Sequence, residues 1–157
     1  MHDRLMNQLM DFMLRDKPLW ARPKLGNTIS LAENEMTLFP MASERYRVAL
    51  RMGGVKSGRE VSEHLRDEGV EGDEAVTHVL NLLEHCKVGK VTMGETIKIE
   101  NSFDSMFMKF LTTKLKEPSC YFTTGFLNGF FSSVKNQHVK ETKCIAMGDP
   151  YCEWEFR

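Results

Sequence analysis

The stretch "KETKCIAMGDPYCEWEF", residues 140–156, decides the fold of the C-terminal part of the chain. Its two halves are typical of short strands, and the Gly-Asp-Pro between them is a turn signal. If these strands pair across a three-residue turn at residues 147–149, Cys144 faces Cys152. Side chains that face each other in this way have Cβ atoms about 4.5–5.5 Å apart. The stretch therefore predicts a hairpin that brings two thiols close together.

Two neighbouring thiols permit three interpretations, and their spacing alone leaves all three open. They can form one edge of a tetrahedral zinc site, in which each sulfur lies about 2.3 Å from the metal. They can form a cross-strand disulfide, although a reducing compartment disfavours this. They can also be small buried hydrophobic side chains, as free cysteines often are.

A zinc site needs two further ligands, and three residues are candidates. Glu141 lies three positions before Cys144, which on a regular strand places it on the opposite face. Glu141 can therefore join the thiols only if the strand bulges near Thr142. Cys120 opens a helix, where backbone amides stabilise a thiolate. Cys86 is the weaker candidate because it lies on the apolar side of another helix.

The rest of the chain alternates pairs of helices with pairs of strands. Residues 3–15 predict a helix, and residues 27–41 predict a hairpin. Two helices then follow, and the first contains "GGVKSG", which indicates close backbone packing or a bend. Two strands that turn near Gly94, two more helices and the hairpin of residues 140–156 complete the chain. This order predicts an α+β fold with an antiparallel sheet.

Length, charge and hydropathy exclude several classes of protein. With 157 residues the chain is most simply one domain, residues 27–157, preceded by a helix and linker in residues 1–26. A net charge of −1 provides no basic field for direct nucleic-acid binding. No apolar run reaches the roughly 20 residues of a membrane span, and charged residues interrupt the first segment, so we expect no signal peptide. We therefore expect a cytoplasmic protein with reduced thiols.

Two motifs together resemble the 4-vinyl reductase domain family. They are "CYFTTGFLNGFF", residues 120–131, and the stretch at residues 140–156; the resemblance covers residues 95–157. It implies a fold similar to that of TRAPP transport-particle subunits and haem nitric-oxide sensors, an α/β fold with helices packed against a twisted antiparallel sheet. It also implies a homodimer with a structural zinc bound by three cysteines and one glutamate. The matching positions here are Cys120, Glu141, Cys144 and Cys152.

A pocket for an apolar small molecule is a further expectation, since the chain has ten phenylalanines and eleven methionines. The same residues can instead be ordinary core, and the sequence does not separate these alternatives. The candidate lining residues are Ile97, Ile99, Phe122, Phe126, Phe130 and Val139.

The function expected from this sequence is binding or sensing of a small molecule, without catalysis. Members of the family sense phenols in transcription activators, and others are linked to vinyl reduction in bacteriochlorophyll synthesis. The chain has no dinucleotide-binding glycine motif, so we do not expect a reductase. The alternatives are an assembly subunit similar to transport-particle proteins, or an accessory to vinyl reduction in tetrapyrrole synthesis.

Overall fold

The computed structural model describes residues 44–111 and 115–157, which fall in one compact unit. The helix predicted at residues 3–15, the hairpin at 27–41 and the boundary between residues 26 and 27 lie outside the described residues and remain predictions.

The described part contains four α-helices and four strands in the order that the sequence predicts. The helices are α1 (Glu44–Asp67), α2 (Gly72–His85), α3 (Phe103–Leu111) and α4 (Tyr121–Val134). The strands are β1 (Lys90–Met93), β2 (Thr96–Glu100), β3 (Val139–Lys143) and β4 (Cys152–Phe156), with a 3₁₀ turn at Ile145–Met147. This arrangement confirms the predicted α+β fold.

The four strands form one antiparallel sheet in the order β1-β2-β4-β3. Strand β4 is central, and it pairs Trp154 with Ile97 and Cys152 with Ile99. All four of these side chains are fully buried, because alternate residues of a strand point to the same face. The sheet thus carries the core and one of the cysteines on the same face.

Strand β3 contains the bulge that the position of Glu141 requires. Glu141 pairs with Trp154 and Lys143 pairs with Glu153, so the register shifts at Thr142. An extra residue in one strand turns the following side chains relative to the preceding ones. The predicted bulge near Thr142 is confirmed, and Glu141 is buried.

The three-residue turn predicted at residues 147–149 is wrong. The pairing of β3 with β4 ends at Lys143 and Glu153. The loop between these two strands contains the 3₁₀ turn and Gly148, whose φ is +109°. The side chain of Asp149 accepts a hydrogen bond from the backbone N–H of Cys144 at 2.9 Å. This local hydrogen bond competes with the strand ladder and favours the longer loop.

Helices α1 and α4 pack through glycines on both sides. The residues in contact are Gly54 and Gly58 of α1 and Gly125 and Gly129 of α4. A Cβ added at Gly58 would lie 2.1 Å from the carbonyl oxygen of Phe126, and one at Gly129 would lie 2.1 Å from that of Val55. The backbones therefore touch directly, so that of the two alternatives that "GGVKSG" indicates, close packing is confirmed.

None of the described helices combines the length and the apolar character needed to cross a membrane.

Candidate metal centre

The four predicted metal ligands lie together in the interior. Their ligand atoms, from Cys120, Glu141, Cys144 and Cys152, all lie within 4.8 Å of one another, and all four residues are buried. The sulfurs of Cys120 and Cys152 are 3.5 Å apart. Two thiolates on one tetrahedral zinc are separated by about 3.8 Å. The arrangement can therefore hold a metal ion.

Three elements supply these four residues. Cys120 immediately precedes α4, Cys152 begins β4, and Cys144 directly follows β3. Glu141 joins them from within β3 because of the bulge. A metal ion at this site would join the start of α4 to both strands of the C-terminal hairpin.

The carboxylate of Glu141 is held in place by one of its two oxygens. Oε2 accepts hydrogen bonds from the backbone N–H of Cys120 at 3.2 Å and from Oγ1 of Thr124 at 3.3 Å. The indole Nε1 of Trp154 in turn donates to Oγ1 of Thr124 at 2.9 Å. Oε1 of Glu141 is buried and has no hydrogen-bond partner among the described residues. A buried oxygen of this kind needs a partner, and a metal ion is a suitable one.

The electrostatics of the cluster also favour a cation. Burial, together with the adjacent Cys144, raises the pKa of Glu141 to about 9. Burial also raises the pKa of Cys120 well above its ordinary value, whereas hydrogen bonds from Cys120 and Cys152 lower that of Cys144. Without a cation these buried acids keep most of their protons. A bound metal reverses this because it favours deprotonated ligands.

The lysines that flank Glu141 in the sequence do not provide this positive charge. Lys143 forms an ion pair with Glu153 at 2.7 Å, and Lys140 is exposed. No ion pair of the described residues includes Glu141. The cluster thus has four acidic donors and no neutralising side chain within the described part of the chain.

Three buried serines next to the thiols were missed by the sequence reasoning. Ser102 and Ser105 lie at the start of α3, and Ser119 precedes Cys120. The hydroxyl oxygen of Ser105 lies 2.9–3.1 Å from all three ligand sulfurs. No spacing rule identifies such residues, because serine is common near helix starts for other reasons.

The six candidate pocket residues lie in two kinds of environment. Five are buried, namely Ile97, Ile99, Phe126, Phe130 and Val139, whereas Phe122 is 37 % exposed. Val139 lines a groove of about 410 Å³ together with residues of α1 and α4. A different groove of about 760 Å³ lies between α1 and α2. Its lining includes the apolar residues Val61, Leu65, Val79 and Leu82 and the histidines His64, His78 and His85.

The chain matches a known domain family over its C-terminal part. Residues 97–157 match the family model of the V4R domain, which confirms the resemblance to the 4-vinyl reductase domain family.

Two curated relatives come from Methanocaldococcus jannaschii, and both are uncharacterized proteins. MJ0855 is 46 % identical over 43 residues, which are 25 % of this chain and 19 % of that protein. MJ1642 is 28 % identical over 104 residues, which are 64 % of this chain and 60 % of that protein. The chain thus spans less than two thirds of either relative.

Two solved structures share the fold. The phenol-responsive sensory domain of the transcription activator PoxR, solved with phenol, has a TM-score of 0.62 at 20 % identity. The superposition covers 99 % of this chain and 89 % of that domain. A vinyl-4-reductase family protein from Methanocaldococcus jannaschii has a TM-score of 0.52 at 15 % identity and covers 99 % and 92 %. These likenesses confirm the predicted fold class.

Proposed function

We propose that this chain is a small-molecule-binding module, a sensor or carrier, stabilised by one structural zinc ion. The ligands are Cys120, Glu141, Cys144 and Cys152. The observation that carries the proposal is the buried cluster of three thiols and one carboxylate within a V4R domain. Its sensing role is supported by the shared fold with the phenol-responsive domain of PoxR.

The donor set favours zinc and a structural role. Thiolates are soft ligands that select zinc over the harder magnesium and calcium ions. Four protein ligands complete a tetrahedron, and closed sites of this kind are structural, whereas catalytic zinc keeps an open position for water or substrate. For this reason we propose a binding module and not an enzyme. Thiolate ligands also require a reducing environment, so the proposal includes the cytoplasm.

The ligand that we propose is an apolar small molecule. PoxR's domain was solved with phenol, and that domain supports an aromatic ligand. Strand β2 of this chain carries Ile97 and Ile99, whose side chains offer no hydrogen bond to a hydroxyl group. We therefore expect binding of toluene or naphthalene to be at least as strong as binding of phenol.

Two places on the described unit are candidates for this ligand. The first is the region of the six predicted residues around β2 and α4, which would have to open because five of them are buried. The second is the groove between α1 and α2, whose volume of about 760 Å³ suits a drug-sized molecule. Leu82 lines this groove and is 38 % exposed, so its substitution can fill the groove without disturbing the core.

The test combines ligand extraction with thermal-shift titration of the full chain. Small molecules that co-purify are identified by mass spectrometry after denaturation, and phenol, toluene and naphthalene are then titrated. Saturable stabilisation by at least one of them is expected. Leu82→Trp abolishes it if the groove is the site and leaves it intact if the ligand lies near β2. Thr77→Trp, on the same helix but outside the groove, is the matched control. No co-purifying molecule and no stabilisation by any probe would favour the assembly role instead.

A homodimer is also part of the proposal. Val48 and Met52 lie one turn apart on α1 and are 52 % and 67 % exposed. Apolar side chains that are adjacent on a helix surface suit a partner helix. Light scattering on the full chain should give twice the monomer mass, and Met52→Glu should reduce it. A monomer at every concentration tested would contradict this part of the proposal.

A further inference from the structure

The three ligand sulfurs share a second layer of hydrogen-bonding groups that are all buried. The hydroxyl of Ser105 lies 2.9 Å from Sγ of Cys120, 3.1 Å from Sγ of Cys144 and 2.9 Å from Sγ of Cys152. Its side chain has no exposed surface. One hydroxyl group thus contacts all three thiols from the first turn of α3.

Each sulfur also has a separate partner. Ser102 lies 3.6 Å from Sγ of Cys120, and Ser119 lies 3.5 Å from Sγ of Cys144. The backbone N–H of Ile145 donates to Sγ of Cys152 at 3.4 Å. A thiol and a hydroxyl can each donate to the other, but a thiolate carries no hydrogen. When the cysteines act as metal ligands, the serine hydroxyls must therefore donate to them.

We propose that Ser105 is the positioning residue of the metal centre: its hydroxyl lies within reach of all three thiolates, donates its single hydrogen to one of them at a time and attaches α3 to the metal site. This inference rests on the metal centre proposed above. Groups that hydrogen-bond metal ligands fix their orientation and offset their charge, and their loss typically weakens metal binding 10- to 100-fold. Ser105 is the strongest candidate for this role because it alone contacts all three sulfurs among the described residues.

The distances favour an outer position for Ser105 over direct coordination. With zinc–sulfur bonds of about 2.3 Å and a zinc–oxygen bond of about 2.0 Å, an oxygen ligand lies about 3.5 Å from each sulfur. The observed 2.9–3.1 Å is shorter than this and suits a hydroxyl that is hydrogen-bonded to sulfur. The fourth ligand is then Glu141, whose Oε1 has no hydrogen-bond partner in the described part of the chain.

The test is the rate of metal release to a chelator, measured on the full chain loaded with zinc and, separately, with cobalt(II). Ser105→Ala should still hold one metal ion per chain but release it about 10 to 100 times faster. The thiolate-to-cobalt charge-transfer bands should also shift, since the sulfurs lose a hydrogen-bond donor. Ser62→Ala is the matched control, because Ser62 is a buried serine whose hydroxyl donates to the carbonyl of Arg59 instead.

The possible results distinguish a failure of the proposed metal centre from a failure of the proposed role of Ser105. A wild-type chain without metal would refute the metal centre itself. A loaded wild type with an unchanged release rate and spectrum in Ser105→Ala would overturn the role of Ser105 alone. Complete loss of metal from a folded Ser105→Ala chain would also overturn it, because Ser105 would then be a direct ligand. If Ser105→Ala does not fold, Ser105→Thr decides: the retained hydroxyl should preserve wild-type release, and fast release would refute the inference.

Discussion

The contact between α1 and α4 predicts opposite effects for the same substitution at two glycines of one helix. Gly53 and Gly58 both lie inside α1. Among the described residues, a Cβ at Gly53 meets no atom within 4 Å, whereas a Cβ at Gly58 lies 2.1 Å from the carbonyl oxygen of Phe126 and 2.8 Å from the backbone N of Phe130. Gly53→Ala should therefore stabilise the protein and Gly58→Ala should destabilise it.

The magnitudes follow from helix propensity and from overpacking. Alanine in place of glycine inside a helix stabilises by about 0.5–1 kcal/mol, and Gly53→Ala should show this gain. At Gly58 the same gain is outweighed, because both clashing atoms are backbone and cannot rotate away. Overpacking costs about 1–3 kcal/mol or occasionally more, and rigid backbone contacts belong at the upper end. We expect a net loss of about 2 kcal/mol for Gly58→Ala.

Urea denaturation of the metal-loaded chain measures both effects. With a slope of about 2 kcal/mol per molar urea, the midpoint should fall by about 1 M for Gly58→Ala and rise by a few tenths molar for Gly53→Ala. An unchanged slope would show that only stability has changed. If Gly58→Ala is as stable as Gly53→Ala, the two helices do not meet through this glycine face and the packing described here is wrong.

Two further predictions concern the buried carboxylates of Asp104 and Glu153. Asp104 accepts hydrogen bonds from the backbone N–H and the hydroxyl of Thr123 at 3.1 and 2.9 Å, so Asp104→Ala should lower the unfolding free energy by about 1–3 kcal/mol. Asp104→Asn keeps an acceptor oxygen and should lose much less unfolding free energy. Equal losses for the two variants in urea denaturation would contradict this prediction. The hydrogen bond from Lys143 holds the pKa of Glu153 below its usual value. The ion pair therefore contributes to stability above the pKa that Glu153 has in the unfolded chain, and this contribution is lost as the pH falls through the pKa of Glu153 in the folded chain. An unfolded glutamate has a pKa of roughly 4.3. The difference in unfolding free energy between wild type and Glu153→Gln should therefore shrink as the pH is lowered from 6 to 3. A difference that does not change with pH would refute the stabilising role of this ion pair.

The proximity of Glu141, Cys144 and Cys152 could be predicted from sequence because these three residues belong to one compact motif with a demanding geometry. Placing Glu141 beside Cys144 required a bulge at Thr142, and the structure has that bulge. Strict period-two alternation made the bulge a condition for Glu141 to join the thiols, and the family resemblance favoured it. The turn after Cys144 was not predictable in the same way, since it depends on a hydrogen bond that the side chain of Asp149 accepts from the backbone N–H of Cys144.

Contacts between distant segments were less accessible from the sequence. The spacing of Gly54 and Gly58 indicates a close approach, but it does not identify Gly125 and Gly129 of α4 as the partners. Ser105 is 15 residues from Cys120 and 39 from Cys144, and no periodicity links these positions. Such relations arise only when the helices and the sheet are assembled.

The most direct test of the account is the metal content of the full chain. The protein is purified without added metal and analysed by mass spectrometry, together with Cys144→Ser, Cys152→Ser and Cys86→Ser. Cys86 is exposed and lies outside the cluster, so it is the matched control. We predict about one zinc per chain in wild type and Cys86→Ser, and loss of both zinc and stability in the other two variants. No zinc in wild type, with free thiols and normal stability in all three variants, would contradict the account.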